Sequence, residues 1–300
     1  LKARTDPVQL DEATARGVTL SIRREDLLFP EVSGNKYRKL KYNLLEAKAR
    51  GFNRLLTFGG AFSNHIHAVA AAGAAAGMET IGLIRGEELA RAPLNPTLSD
   101  ASAWGMQLHF LSRGQYARRN DPGFRESCLE RFGPAYLLPE GGTNALALKG
   151  CEEILQPGDS DYDLIGCPVG TGGTLAGLSR AAGPGQRILG YSALKAPGLE
   201  TELRLWGTPE NWILIQDDRF GGYARIDTQL VEFINAFRER TGIPLDPVYT
   251  GKMVFGVLED IRSGRIREGS RVLLIHTGGM QGLRGMNQKL QKKNLPLLLL

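Results

Sequence analysis

The 300-residue chain is poor in the features that mark several large protein classes. Its three cysteines, Cys128, Cys151 and Cys167, are odd in number and show no Cys-x-x-Cys spacing. Neither a disulfide framework nor a zinc knuckle is expected, and a reducing, cytoplasmic setting suits the chain. Of four histidines, His65 and His67 stand two apart, a spacing that a helix turns to different faces, so no metal site is expected. Long hydrophobic runs are missing as well. The longest small-apolar stretch, Ala68 to Ala76, is far too short to cross a bilayer, and the first residues hold no apolar run of signal-peptide length. The run Leu297 to Leu300 reads as a docked or frayed end. Neither sign of charge dominates: 37 Lys and Arg against 32 Asp and Glu leave a net +5. The basic residues are spread along the chain rather than gathered in a block. That speaks against nucleic-acid and membrane partners and leaves small anions, phosphates and carboxylates, as natural ligands.

What is present is enough apolar material, 42% of residues, for one large α/β domain or two smaller ones. Strand-like and helix-like patches alternate through nearly the whole length, the mark of βαβ units and parallel sheets. Val18 to Arg23, Arg54 to Phe58, Thr80 to Ile84, Met106 to Leu111, Ala135 to Leu138, Tyr162 to Val169, Arg187 to Ser192 and Arg271 to His276 read as strands. Asn35 to Arg50, Ser63 to Ala76, Leu94 to Trp104, Thr143 to Leu155, Thr174 to Ala182, Ile226 to Arg240 and Lys252 to Arg262 read as helices, with another between Pro122 and Gly133. No repeat or low-complexity linker marks a boundary.

Five junctions between these elements carry polar groups. In Ser33-Gly34-Asn35-Lys36-Tyr37-Arg38-Lys39-Leu40, a Gly-Asn turn opens a helix, with Asn35 as a possible cap. The helix N-terminus disfavours a protonated amine and gives Lys36 a reason to be a neutral nucleophile; the alternative is a solvated basic helix start. Gly170-Thr171-Gly172-Gly173-Thr174 follows an apolar strand and suits an anion, although a tight strand-to-helix turn has the same look. The dinucleotide fingerprint fails there because Leu175 takes the last glycine position, and the P-loop ending is absent. Gly59-Gly60-Ala61-Phe62-Ser63-Asn64 offers Ser63 and Asn64 either as helix caps or as donors to a carboxylate or phenolic oxygen. Asp246-Pro247-Val248-Tyr249-Thr250-Gly251-Lys252 and His276-Thr277-Gly278-Gly279 complete the set, Tyr249 being equally readable as a core tyrosine. Ligands of parallel sheets collect at the carboxyl ends of strands, so the five converge if those ends do.

From about Val18 to Leu283 these segments, in this order, resemble the pyridoxal-phosphate enzymes of the tryptophan synthase β family (fold type II). Within it they are most similar to the D-cysteine desulfhydrase and 1-aminocyclopropane-1-carboxylate (ACC) deaminase group. The resemblance implies two open twisted α/β domains with largely parallel sheets and pyridoxal 5'-phosphate (PLP) in the cleft between them. Residues 1–45 plus 146–300 are expected as the large PLP-binding domain, with 46–145 as a small α/β domain inserted in it, in a homodimer. By motif match, Lys36 carries the cofactor as a Schiff base, Lys39 contacts its phosphate, and Gly170, Thr171, Gly172, Gly173 and Thr174 form the phosphate cup. Ser63 lies near the substrate, Asn64 on the cofactor's phenolic oxygen, and Tyr249 and Tyr223 are the two active-site tyrosines.

The same resemblance bears on substrate. ACC deaminases typically follow the active-site tyrosine with glutamate, where this chain has Thr250, and its His-Thr-Gly-Gly segment is similar to the desulfhydrases. Thr277 is then the partner of the ring nitrogen. A hydroxyl leaves that nitrogen largely neutral, which suffices for β-elimination of a good leaving group. D-cysteine desulfhydration to pyruvate, sulfide and ammonia is the expected activity. ACC deamination to 2-oxobutyrate and ammonia is the alternative, with a β-replacement synthase or a noncatalytic amino-acid-binding relative as further ones. The chain departs from the group at Ser33-Gly34, at Tyr37, after Tyr223 and at Gln281-Gly282-Leu283, near where a substrate would sit.

Overall fold

The computed structural model describes every residue except 30, 33, 194–196 and 217–219. Ten strands are present among the described residues: β1 (Thr5–Val8), β2 (Thr19–Arg23), β3 (Arg54–Gly60), β4 (Glu79–Arg85), β5 (Gln107–Leu111), β6 (Tyr136–Leu138), β7 (Leu164–Val169), β8 (Arg187–Ser192), β9 (Trp212–Gln216) and β10 (Arg271–Ile275). They form a six-stranded sheet in the order β1-β2-β10-β7-β8-β9 and a four-stranded sheet in the order β5-β4-β3-β6. Every pairing is parallel except β1 with β2. The expected strands are all found. Two more, β1 and β9, were not expected, and both lie at sheet edges. β1 contains Asp6 and Pro7, residues that a strand accepts at an edge, where a missing N–H breaks no ladder.

The chain divides into two compact units, Leu1–Leu28 with Ser33–Asn35 and Cys151–Leu300, and Phe29–Val32 with Lys36–Gly150. The sequence-based boundaries at 45 and 145 fall within helices Asn35–Ala49 and Ala145–Glu152. In the smaller unit these two helices meet so closely that a Cβ on Gly150 would lie 1.9 Å from the Arg38 carbonyl oxygen, and most of both therefore stays in that unit.

Within the larger unit one core packs Leu20 and Ile22 of β2 and Val272 and Leu274 of β10 against Val254, Val257 and Ile261 of helix Thr250–Arg262. A fully buried arginine closes the side of this sheet: Arg23 donates to Asp159 Oδ1 (2.6 Å), the Ile154 carbonyl (2.7 Å) and Thr5 Oγ1 (2.7 Å). The smaller unit has apolar cores on both sheet faces, as a parallel sheet requires. Leu55 and Ile84 face one, and Leu56, Phe58, Ile81 and Leu83 face the other. The unexpected helix Gly282–Gln291 begins with two weak helix formers, Gly282 and Gly285, but buries Leu283, Met286 and Leu290 on one face.

Each sheet contains one reversal of winding. In the larger unit the chain steps outward from β7 through β8 to β9, and β10 then enters on the other side of β7. β10 pairs with β2 along its whole length but with β7 only from Val272 to Leu274, so the carboxyl-terminal half of β7 has no β10 neighbour. In the smaller unit β3 leads to β4 and β5, while β6 pairs with the other side of β3. Such reversals are where open α/β sheets bind ligands, outside the carboxyl ends of the strands. The loops leaving β7 and β10 flank the reversal in the larger unit, and those leaving β3 and β6 flank the one in the smaller.

Replacing Gly150 by alanine should destabilise the protein by about 1–3 kcal/mol through overpacking against the Arg38 carbonyl. Gly158→Ala, with open space around it, should change stability by less than about 0.5 kcal/mol. Urea unfolding of the two variants checks this, and equal midpoints would contradict the packing.

Candidate functional site

In the larger unit, the loop after β7 turns at Gly172 (φ +77°) into helix Gly173–Ala181. The first residue after this turn to close a helical hydrogen bond is Ala176, onto the Gly172 carbonyl, so the N–H groups before it head the helix, where an anion is favoured. A side chain at Gly172 would strike Leu199, 2.8 Å away, so glycine is required both for conformation and for space. Tyr249 lies over the start of this loop: a Cβ on Gly170 would stand 3.4 Å from its hydroxyl oxygen. The Tyr249 backbone is set by Asp246, whose Oδ1 accepts the N–H groups of Tyr249 (2.6 Å) and Thr250 (2.9 Å) at the head of the next helix. Tyr223 meets Tyr249 edge-on, with ring centroids 6.2 Å apart, and is half exposed. Its turn is held by Lys252, which donates to the Gly222 carbonyl at 2.7 Å.

At the end of β10, the Thr277 carbonyl accepts the Asn35 N–H at 3.3 Å. Gly34, at φ +69°, comes so near that a Cβ would sit 2.0 Å from that oxygen. Asn35 does not cap the helix as the sequence suggested. It is the first helical residue, and its Nδ2 donates to Thr174 Oγ1 at 2.7 Å. Asn35 therefore bonds to both flanks of the β7–β10 reversal, and Lys36 is its next residue. Ser33 lies outside the described residues.

In the smaller unit, Lys36 is half-buried and Lys39 buried on helix Asn35–Ala49. Lys39 Nζ donates to the Gly141 carbonyl (3.0 Å) and to Thr143 Oγ1 (2.9 Å) in the loop after β6. That loop, Glu140-Gly141-Gly142-Thr143, is a sixth strand-end glycine junction, passed over in the sequence although its composition matches the other five. After β3, Ser63 caps helix Asn64–Ala76, its Oγ accepting the N–H groups of His65 (3.2 Å) and Ile66 (3.3 Å). Both of its readings remain compatible, since an oxygen that accepts still has its own hydrogen to give. Asn64 begins the helix beside it.

Two buried imidazoles back these loops, and hydrogen bonding fixes the tautomer of each. Thr57 Oγ1 gives its hydrogen to the Leu138 carbonyl (3.0 Å), so the 2.8 Å contact with His65 requires that Nε2 carry the proton. His65 Nδ1 is then a bare acceptor, buried and without a partner among the described residues. Burial first, then the charges of Lys36 and Lys39, hold the His65 pKa well below the ordinary imidazole value. His276 Nδ1 accepts the Gly278 N–H (3.2 Å) while Nε2 donates to the Pro244 carbonyl (2.6 Å). Burial lowers its pKa too, against the pull of Asp26, so the 3.5 Å approach of Asp26 is to a neutral ring. His67 turns instead to Asp100, at 3.2 Å. The three cysteines are buried free thiols, and burial raises the pKa of Cys128 and Cys167.

Each unit by itself has chemistry suited to part of a phosphate-bearing aldehyde. The larger carries a glycine-walled helix head with a threonine hydroxyl, and the smaller carries an amine on a helix and a buried acceptor without a partner among the described residues. The comparisons agree. A model of the family described as "Pyridoxal-phosphate dependent enzyme" matches residues 2–278, and the chain belongs to that family, whose cofactor is PLP. A bifunctional D-cysteine desulfhydrase/1-aminocyclopropane-1-carboxylate deaminase, mitochondrial, of Arabidopsis thaliana is 30% identical over 89% of this chain and 74% of its own. A Thermotoga maritima protein, provisionally named 1-aminocyclopropane-1-carboxylate deaminase, is 31% identical over 97% of this chain and 98% of its own. The crystal structure of an ACC deaminase homologue superposes with a TM-score of 0.84 at 27% identity, covering 97% of this chain and 94% of that one. An O-ureido-L-serine synthase, at 17% identity and a TM-score of 0.67 over 94% of this chain and 90% of that one, shares the fold. Within the PLP family, the chain is thus a member of the D-cysteine desulfhydrase and ACC deaminase group.

A depressed histidine pKa means that the unfolded chain binds protons that the folded one refuses. Stability should therefore fall as pH drops below about 6.5, by up to about 1.4 kcal/mol per pH unit for each proton withheld. His65→Asn should make that slope shallower. Denaturant midpoints between about pH 5 and 8 test it, and an NMR titration showing His65 protonating near its ordinary pKa would rule it out.

Proposed function

We propose that the enzyme eliminates the β-substituent of a small D-amino acid, with D-cysteine as substrate and pyruvate, sulfide and ammonia as products. What supports the reading is that the chain has threonine, not a carboxylate, at both positions that the resemblance connects with the ring nitrogen, 250 and 277. Thr277 stands at the end of β10, tied by its carbonyl to Asn35. Thr250 is buried, its Oγ1 accepting the Asp246 N–H at 2.8 Å, so it is occupied in holding the helix head.

PLP supplies an aldehyde for amines and a ring that draws electrons from Cα. Lys36 is the attachment amine and, once released, the base that takes the α-proton. Ser63 gives its hydroxyl hydrogen to the substrate carboxylate, with the helix head behind it adding to the attraction. Asn64 meets the phenolic oxygen, Lys39 and Gly170 to Thr174 the phosphate, and Thr277 the ring nitrogen. Tyr223 or Tyr249 assists the departing group. The same reading carries a homodimer in the cytoplasm.

The names of the Arabidopsis and Thermotoga relatives favour a second reading, ACC deamination, on the same residues.

Purified protein offered D-cysteine, L-cysteine, D-serine and ACC should release sulfide and keto acid fastest from D-cysteine. Keto acid from ACC alone would replace the first reading by the second. Lys36→Ala should lose the visible absorbance of bound cofactor and at least about a thousandfold in turnover; a variant keeping both would remove Lys36 from its role. Light scattering should give a mass of about twice 32.7 kDa.

A further inference from the structure

Thr174 is buried in the first turn of helix Gly173–Ala181, and its Oγ1 accepts a hydrogen bond from Asn35 Nδ2 at 2.7 Å. A hydroxyl has a single hydrogen, and a side-chain amide has distinct donating and accepting ends. Because the donating end of Asn35 faces Thr174, the threonine hydrogen is not used in that contact. Among the described residues it meets no acceptor. The Asn35 backbone is fixed, with its N–H on the Thr277 carbonyl and Gly34 pressed against that same carbonyl, and its side chain reaches Thr174 from there. Were the amide reversed, Thr174 would spend its hydrogen on Asn35 and turn lone pairs toward an anion.

We propose that Asn35 is a positioning residue that sets the polarity of the phosphate loop, making Thr174 a compulsory hydrogen-bond donor to the cofactor phosphate. The inference rests on the reading of Gly170 to Thr174 as the phosphate cup. Asn35 precedes Lys36, the residue read as the attachment amine, in the sequence. An aspartate at position 35 presents only acceptors. It would capture the Thr174 hydrogen and leave oxygen facing oxygen.

The test is PLP binding to the apoenzyme, followed by absorbance, with pyridoxal, which lacks the phosphate, as second probe. Melting temperatures of the apoenzymes serve as the fold control. Asn35→Asp should weaken PLP about ten- to a hundredfold and pyridoxal far less. Thr174→Val should weaken PLP about tenfold. In the Thr174→Val background, Asn35→Asp should cost several-fold less than it does alone, because no Thr174 hydrogen is left to capture, while the carboxylate charge acts in both backgrounds and cancels in the cycle. Asn35→Ala, which removes the donor without adding charge, should show the same non-additivity on a smaller scale, about two- to fivefold. Additive losses, or equal losses for PLP and pyridoxal, would show a merely structural asparagine and overturn the proposal. If Thr174→Val alone leaves PLP affinity unchanged, the phosphate-cup reading itself fails, and the role of Asn35 fails with it.

Discussion

The contact on which most depends is between two stretches of backbone. Gly34 lies where any side-chain carbon would overlap the Thr277 carbonyl, and Asn35 gives its N–H to that oxygen. No other residue type allows this approach at a positive φ without strain. The contact fixes the backbone of Gly34 and Asn35 at the end of β10, and Lys36 is the next residue in the chain. Asn35 then reaches Thr174 at the neighbouring strand end, so a four-atom amide gauges the spacing between the loops after β7 and β10.

Both sheets place their polar loops by the same device, a strand added on the far side of an earlier one. The loops after β7 and β10 bring Thr174 and Thr277 to one dipeptide. Those after β3 and β6 bring Ser63 and the Gly141–Thr143 segment to helices that begin there or pass by. Neutral imidazoles lie behind each pair, kept uncharged by burial, and each gives up a proton position to a threonine hydroxyl or a carbonyl. A protonated ring beside Lys36 and Lys39 would add to a cationic group already favourable to anions; a neutral one leaves the lysine charges to do that alone.

Most of this was legible in the sequence. Eight strands and the main helices followed from alternating periodicity and from Pro and Gly punctuation, because buried parallel strands are continuous apolar runs. β1 escaped because Asp6 and Pro7 make it strand-poor, and β9 because a short apolar run next to loop residues carries no period. The glycine and hydroxyl junctions were visible as signals of chemistry, but their mutual placement was not. Nothing in the spacing of Asn35 and Thr174, 139 residues apart, says that they touch. Nor does local sequence show that Lys39 rests on the loop after β6, since that contact spans 102 residues and is fixed only when β6 pairs with β3.

The strand order also has a consequence in time. Among the described residues β2 is the second strand in chain order, yet its parallel neighbour, β10, is the last, with Thr19 paired to Arg271. The six-stranded sheet must therefore wait until Arg271–Ile275 is made, with one edge of β2 unpaired until then. Nearly all of the four-stranded unit, by contrast, is one continuous stretch that ends at Gly150. On a ribosome it has every residue it needs before Leu164, the first residue of β7, is made, so the smaller unit can fold ahead of the six-stranded sheet.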